Sequence, residues 1–143
     1  MGVMQISTDK DRLDVGLIHR FLSTEAYWSL GIPLQVVERA LAGSLCFGGY
    51  IDGRLAAFGR VVTDGATFAY LADVFVLSEY RGQGHGRQLL GAIMVYPALQ
   101  GLRRFMLATA DAHALYAEFG FAAPVRPERL MEILDFDLYT RTG

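Results

Sequence analysis

The residues whose spacing speaks most directly to chemistry lie in Asp73-Val74-Phe75-Val76-Leu77-Ser78-Glu79-Tyr80-Arg81-Gly82-Gln83-Gly84-His85-Gly86-Arg87. A β-rich run passes into glycines at alternate positions, and the apolar residues that follow recur at helical spacing. Such glycines let the main chain turn closely and aim successive N–H groups at one point, while the new helix adds its positive end. That geometry binds a pyrophosphate, although a glycine-rich turn can also be a plain connection. The strand follows an antiparallel meander, so the dinucleotide fold built on parallel βαβ units fits poorly, and the Lys-Ser/Thr pair of a P-loop is missing. Arg81 and Arg87 flank the glycines, either as phosphate partners or as solvated charges. His85 reads as a spacer rather than a base, and His19 and His113 have no partners at metal-ligand spacing, so no metal is expected.

The remaining reactive groups are few. Cys46 is the only cysteine, which rules out an internal disulfide and a zinc site of several thiolates. Within Ser44-Leu45-Cys46-Phe47 it reads as a small buried hydrophobe. The chain has 13 basic and 15 acidic residues, a net charge of -2 and no long basic run, so nucleic acid is not an expected partner. Its uncharged stretches Ala40–Ile51 and Leu89–Leu102 contain Gly or Pro and fall short of the roughly 18 apolar residues a membrane span requires. Met1–Arg12 lacks the apolar centre of a secretory signal, and a cytoplasmic protein is expected. With 143 residues, 52% of them hydrophobic, a single domain over residues 1–143 can fill one core.

Val3–Ser7 suits a short first strand, and Leu13, Leu17, Ile18, Phe21 and Leu22 predict a helix ending near Thr24. Tyr27-Trp28-Ser29-Leu30-Gly31-Ile32-Pro33 breaks the period, which Leu34–Ala42 resumes. Ser44–Ile51 and Leu55–Val62 are β-rich runs joined by Asp52-Gly53, a hairpin signal, and Thr67–Leu77 adds a third strand after the turn Thr63-Asp64-Gly65. Leu89, Leu90, Ile93 and Met94 mark a helix over Gly84–Tyr96, stopped by Pro97. Phe105–Thr109 predicts a buried strand, and Asp111–Phe119 a helix with Asp111 as N-cap and Gly120 as terminator. Met131–Leu138 is expected to close the sheet as a last strand. The expected order is βααβββαβαβ, an α/β fold with a mixed sheet and helices on both sides.

Arg81-Gly82-Gln83-Gly84-His85-Gly86 meets the Arg/Gln-x-x-Gly-x-Gly/Ala element of the GNAT N-acetyltransferases, which the chain resembles over nearly its whole length. The resemblance implies the acyl-CoA N-acyltransferase fold, with acetyl-CoA as acyl donor. By it, the main chain of Val74, Phe75 and Val76 pairs with the pantetheine arm, and Arg81, Gly82, Gln83, Gly84, His85, Gly86 and Arg87 cradle the pyrophosphate. Ala114-Leu115-Tyr116-Ala117-Glu118-Phe119-Gly120-Phe121 is similar to the family's Leu-Tyr-x-x-x-Gly-Phe element. It makes Tyr116 the candidate that serves the departing thiol, against a plain packing role. Where many members carry Asn seven residues earlier, this chain has Thr109, whose hydroxyl is a candidate for pantetheine.

Asp73 lies nearest the expected bulge where the acetyl group should sit. It either faces the amine, as base or cation binder, or pairs with Arg60 on the adjoining strand. Tyr27 and Trp28 are candidate walls for the acceptor, or core; Thr63 and Asp64 are weaker candidates for the same side. The expected reaction is direct attack of a primary amine, on a small molecule, on acetyl-CoA in a ternary complex. Three readings stay open beside it: a non-catalytic acyl-CoA-binding regulatory module, acetylation of a protein or peptide amine, and a nicotinamide-dependent enzyme. The C-terminal strand offers an edge for a homodimer.

Overall fold

Asp52 and Gly53 both take positive φ, 51° and 78°, in the turn joining β2 (Leu45–Ile51) to β3 (Arg54–Thr63) in the computed structural model, which describes residues 2–141. Positive φ at both central residues gives a turn whose twist matches that of the strands it joins, and Asp-Gly reaches that conformation at low cost. The next turn is closed by side chains. Asp64 Oδ1 accepts the main-chain N–H groups of Ala66, Thr67 and Phe68, and its Oδ2 accepts the Thr67 hydroxyl. Thr63 Oγ1 donates to the carbonyl of Phe68 and accepts from Gly65 N–H. Thr63 and Asp64 therefore hold the entry to β4 (Phe68–Val76).

With β1 (Gln5–Ser7) and β5 (Arg104–Leu107), the strands form one sheet in the order β1-β2-β3-β4-β5. Every neighbouring pair is antiparallel except β4 and β5, which run parallel. Alternation along the strands divides the core in two. Phe47, Val61 and Leu71 pack with Leu89, Leu90 and Ile93 of α3 (His85–Met94) on one face. Cys46, Phe58 and Phe75 pack on the other with Ile18, Phe21 and Leu22 of α1 (Val15–Thr24) and Val37 and Leu41 of α2 (Leu34–Ala42). Phe21 stacks on Phe75 at 4.0 Å between centroids, which fixes α1 over the end of β4.

Two features of β4 create the site. It pairs with β5 only from Phe68↔Arg104 to Leu71↔Leu107, and then runs on to Val76 with no strand beside it on that edge. On the other edge Phe58 faces Phe75 and Arg60 faces Ala72, so Asp73 and Val74 together oppose Gly59. This is the expected bulge. Asp73 sits in it with φ 56°, a left-handed conformation that Asp tolerates better than most residues.

Two expectations fail. Residues Met131–Leu138 form no strand: the first five have no regular structure, a turn follows, and no strand pairs with them among the described residues. Hydrophobic content alone does not make a strand, because the main chain needs a ladder. The observed order is βααβββαβα. The last helix, α4 (His113–Ala117), is also shorter than Asp111–Phe119, and its cap is different. Thr109 Oγ1, rather than Asp111, accepts a main-chain N–H there, from Ala112 at 3.1 Å.

Candidate functional site

Beyond β4, a short 3-10 turn at Ser78–Tyr80 leads to Arg81 and the glycines. Gly82 and Gly84 have φ of 76° and 84°, and the space where their Cβ atoms would stand is open. An L side chain would be strained there whatever the room, so glycine at these two positions serves the backbone. Gly86 is different: it opens α3 with ordinary φ, and an added Cβ would make only normal contact with Val76 Cγ2 at 3.7 Å. Its bareness keeps a surface low.

That surface borders a cavity of about 320 Å³ lined by Val76, Tyr80, Arg81, Gly82, Gly84, His85, Gly86, Arg87 and Leu115. Gly84 caps α3 without a side-chain hydrogen bond. Among the described residues, none of the main-chain N–H groups from Gly82 to Arg87 finds an acceptor in the protein. Unmatched donors at a helix start, on the rim of a cavity, with two arginines beside them, are suited to a polyanion.

The arginines are not equivalent. Arg81 Nε donates to the carbonyl of Val76 at 2.9 Å, which turns the guanidinium along the cavity wall and leaves its other N–H groups free of partners among the described residues. Arg87 makes a two-pronged pair with Glu118, Nε to Oε1 and Nη2 to Oε2, each 2.9 Å. The pair lowers the Glu118 pKa through the hydrogen bond and raises that of Arg87. It ties α3 to the end of α4, two residues after Tyr116. No sequence spacing signalled this contact, because its members lie 31 residues apart. Gln83 is exposed and does not border the cavity.

The splay between β4 and β5 opens from this cavity toward Asp73. Phe75 buries its ring in the core and turns its main-chain groups to Phe58 of β3, so the unpaired edge is presented by the main chain of the residues on either side, Val74 and Val76, with the Val76 carbonyl accepting from Arg81. Across the splay, Tyr116 is half-buried and packs edge-on to Phe121. Burial raises its pKa, with smaller contributions from Tyr27 and Asp111. Its hydroxyl has no partner among the described residues. The Thr109 hydroxyl accepts from Ala112, which leaves its proton for donation.

Both carboxylate oxygens of Asp73 have partners within the protein. Its Oδ2 accepts Arg60 Nε at 2.8 Å and its Oδ1 accepts the Trp28 indole N–H at 2.7 Å. Arg60 reaches on to Ser44 Oγ at 3.0 Å, and the ion pair is largely shielded, with side chains 18% and 12% exposed. The pairing of Asp73 with Arg60, one of its two readings, is formed. Its bond to Trp28, 45 residues away, was not legible. Tyr27 meets Trp28 edge to face at 5.0 Å, and its hydroxyl accepts the N–H of Ala110 at 3.0 Å. Tyr27 and Trp28 are therefore exposed side chains bridging the α1–α2 loop to both sides of the splay. Cys46 is buried, and burial raises its thiol pKa, which leaves it unreactive. Among the described residues no His, Cys, Asp and Glu cluster suits a metal ion, and no helix is long and apolar enough to cross a membrane.

The sequence profile of the acetyltransferase (GNAT) family matches residues 18–121. A crystal structure from Xanthomonas campestris pv. campestris, described as belonging to the GNAT family, is 55% identical over 99% of both chains, with a TM-score of 0.96. A Gibberella zeae protein carrying an acetyltransferase name is 35% identical, over 82% of this chain and 77% of that protein. N-acetylglutamate synthase from Neisseria gonorrhoeae, solved with coenzyme A and L-arginine, shares the fold at 19% identity and a TM-score of 0.66, over 92% of this chain and 30% of that one.

Proposed function

This chain belongs to the acetyltransferase (GNAT) family, and on that premise we propose that it moves an acetyl group from acetyl-CoA to a primary amine on a small molecule. One observation carries the reading: the unmatched N–H groups of Gly82 to Arg87, on the rim of a cavity continuous with the unpaired edge of β4. A linked pair of phosphates matches the donors, and an extended amide-bearing arm matches the edge in the manner of an added strand. Arg81 adds charge at the phosphates, while Arg87, held by Glu118, fixes α4 and with it Tyr116. Thr109 has a hydroxyl proton to offer the arm.

In the reaction the amine nitrogen bonds to the thioester carbonyl carbon, the C–S bond breaks, and the electron pair goes to sulfur. Tyr116 Oη donates a hydrogen bond to that sulfur as it becomes a thiolate. Because both oxygens of Asp73 are engaged, its part is positioning: it holds Trp28 and Arg60, and Tyr27 and Trp28 wall the acceptor. The ammonium proton leaves to water. No other component is needed beyond the two substrates. A cytoplasmic location, where acetyl-CoA is made and used, and a homodimer complete the reading.

Calorimetry with acetyl-CoA, CoA and NAD tests the cradle, and thiol release across a panel of small amines at saturating acetyl-CoA tests the reaction. Binding of acetyl-CoA with turnover of at least one amine is expected. Binding without turnover of any amine or peptide would leave a regulatory module. Binding of NAD but not CoA would end the assignment.

A further inference from the structure

Beside the splay, one face of the sheet is left bare. Cys46, Arg60 and Ala72 stand abreast on β2, β3 and β4, and Cys46 packs beneath α1 and α2, so the three mark the face on which those helices lie. Side chains alternate along a strand. Two residues farther from the bulge, Val62, Tyr70 and Met106 therefore stand abreast on that same face, and Phe68 follows on β4. Neither core takes these four in. Val62 is 42% exposed and Phe68 39%, while Tyr70 and Met106 are half-buried. Single apolar side chains on a surface are ordinary; a contiguous group at the mouth of a reaction site marks a binding surface.

Position gives this patch its meaning. The ladder between β4 and β5 ends at Leu71↔Leu107, so Tyr70 and Met106 are the last pair on that face before the strands part. Tyr27 and Trp28 stand over the same opening, bonded to Ala110 beyond β5 and to Asp73 in the bulge. An acceptor that enters beneath them, with its nitrogen at the splay, lays the rest of itself on Tyr70 and Met106. Rings and a thioether favour a flat apolar partner. Charge points the same way. Asp73 is matched by Arg60, and Arg104, beside Phe68 in the ladder, is exposed and has no ion pair among the described residues. A second ammonium on the acceptor would meet a guanidinium on this floor and no free carboxylate.

We propose that this patch is the floor of the acceptor site, and that Tyr70 and Met106 select a primary monoamine with an aromatic body over polyamines. The inference rests on the acetyl-transfer reading and adds to it a substrate class and two specificity-determining residues.

Trp28 is the only tryptophan of the chain, so its fluorescence reports the arrival of an amine whether or not transfer follows. Thiol release and Trp28 fluorescence are followed at saturating acetyl-CoA with 2-phenylethylamine and with spermidine. Phenylethylamine is expected to change the fluorescence and to show a kcat/KM at least about tenfold above that of spermidine. Tyr70→Ala and Met106→Ala should each raise its fluorescence Kd and its KM about tenfold, with the acetyl-CoA Kd and the circular dichroism spectrum unchanged; Tyr70→Phe keeps the ring and should stay within about threefold. Met106→Glu should shift preference toward spermidine, a gain that misfolding does not imitate. Fluorescence binding with these variant effects but no thiol release would uphold the floor and refute acetyl transfer. Thiol release that favours spermidine, or that is indifferent to Tyr70→Ala and Met106→Ala, would overturn the floor and leave acetyl transfer standing. Phenylethylamine that neither alters the fluorescence nor turns over would overturn it as well.

Discussion

Tyr116 keeps its proton at neutral pH, because burial moves a phenol that ordinarily titrates near 10 further up. It is a weaker acid than a thiol near 8.5, so the service to the leaving group proposed for it would be a hydrogen bond more than a completed transfer. Tyr116→Phe is expected to lower kcat by about 10²- to 10⁴-fold and leave the acetyl-CoA Kd from calorimetry nearly unchanged. The protonated phenol is the useful form and its pKa is raised. The Tyr116-dependent rate should therefore be full below pH about 10 and lost only as pH climbs through the raised value. The positioning role proposed for Asp73 runs through its partners Arg60 and Trp28. Asp73→Asn tolerates the bulge but sets an amide against Arg60, which loses its counter-charge in a shielded position; a stability loss of about 1–3 kcal/mol is expected. Because Trp28 also loses its anchor, the amine KM should rise more than kcat falls. If thermal unfolding and the amine KM both stayed at wild-type values, Asp73 would have no positioning role.

At the scale of elements, the β4–α3 junction separates two uses of glycine. Gly84 needs positive φ, and Gly84→Ala forces a side chain into a conformation costing roughly 1–2 kcal/mol, or moves the loop. Either outcome misaims the donors, so acetyl-CoA binding should weaken about tenfold or more while the sheet and helices persist. Gly91 lies inside α3 with ordinary φ and open space around it. Gly91→Ala should therefore stabilise the protein by about 0.5–1 kcal/mol without touching the Kd, separating the site's glycines from the helix's. The Arg87–Glu118 pair is a contact between elements, well exposed on both sides, and its value lies in registering α4 to α3.

For the whole molecule, a phosphate cradle that exists only in the folded chain would link stability to the acyl donor. Mass action stabilises whatever binds the native state, so the thermal midpoint should rise with acetyl-CoA, by the equivalent of about 2.7 kcal/mol at 100 times the Kd. The Gly84→Ala chain should show a smaller rise at the same concentration, and equal behaviour of the two would count against the cradle.

Sequence carried far where the physics is local. The Asp52-Gly53 hairpin, the helices of Leu13–Thr24 and Leu34–Ala42, and the glycines before α3 follow from φ preferences and side-chain period, which neighbours in the chain decide. The bulge beside Asp73 and the motifs at Arg81–Gly86 and Leu115–Phe121 were legible through the resemblance to the family. Tertiary structure decided what depends on partners distant in the chain. It bonded Asp73 to both Arg60 and Trp28, tied Arg87 to Glu118, and left α4 without the Asp111 cap, with Ala112 at its start bonded to Thr109. It also denied residues 131–138 a strand, because hydrophobic pattern supplies side chains while a strand exists only where another main chain answers its hydrogen bonds.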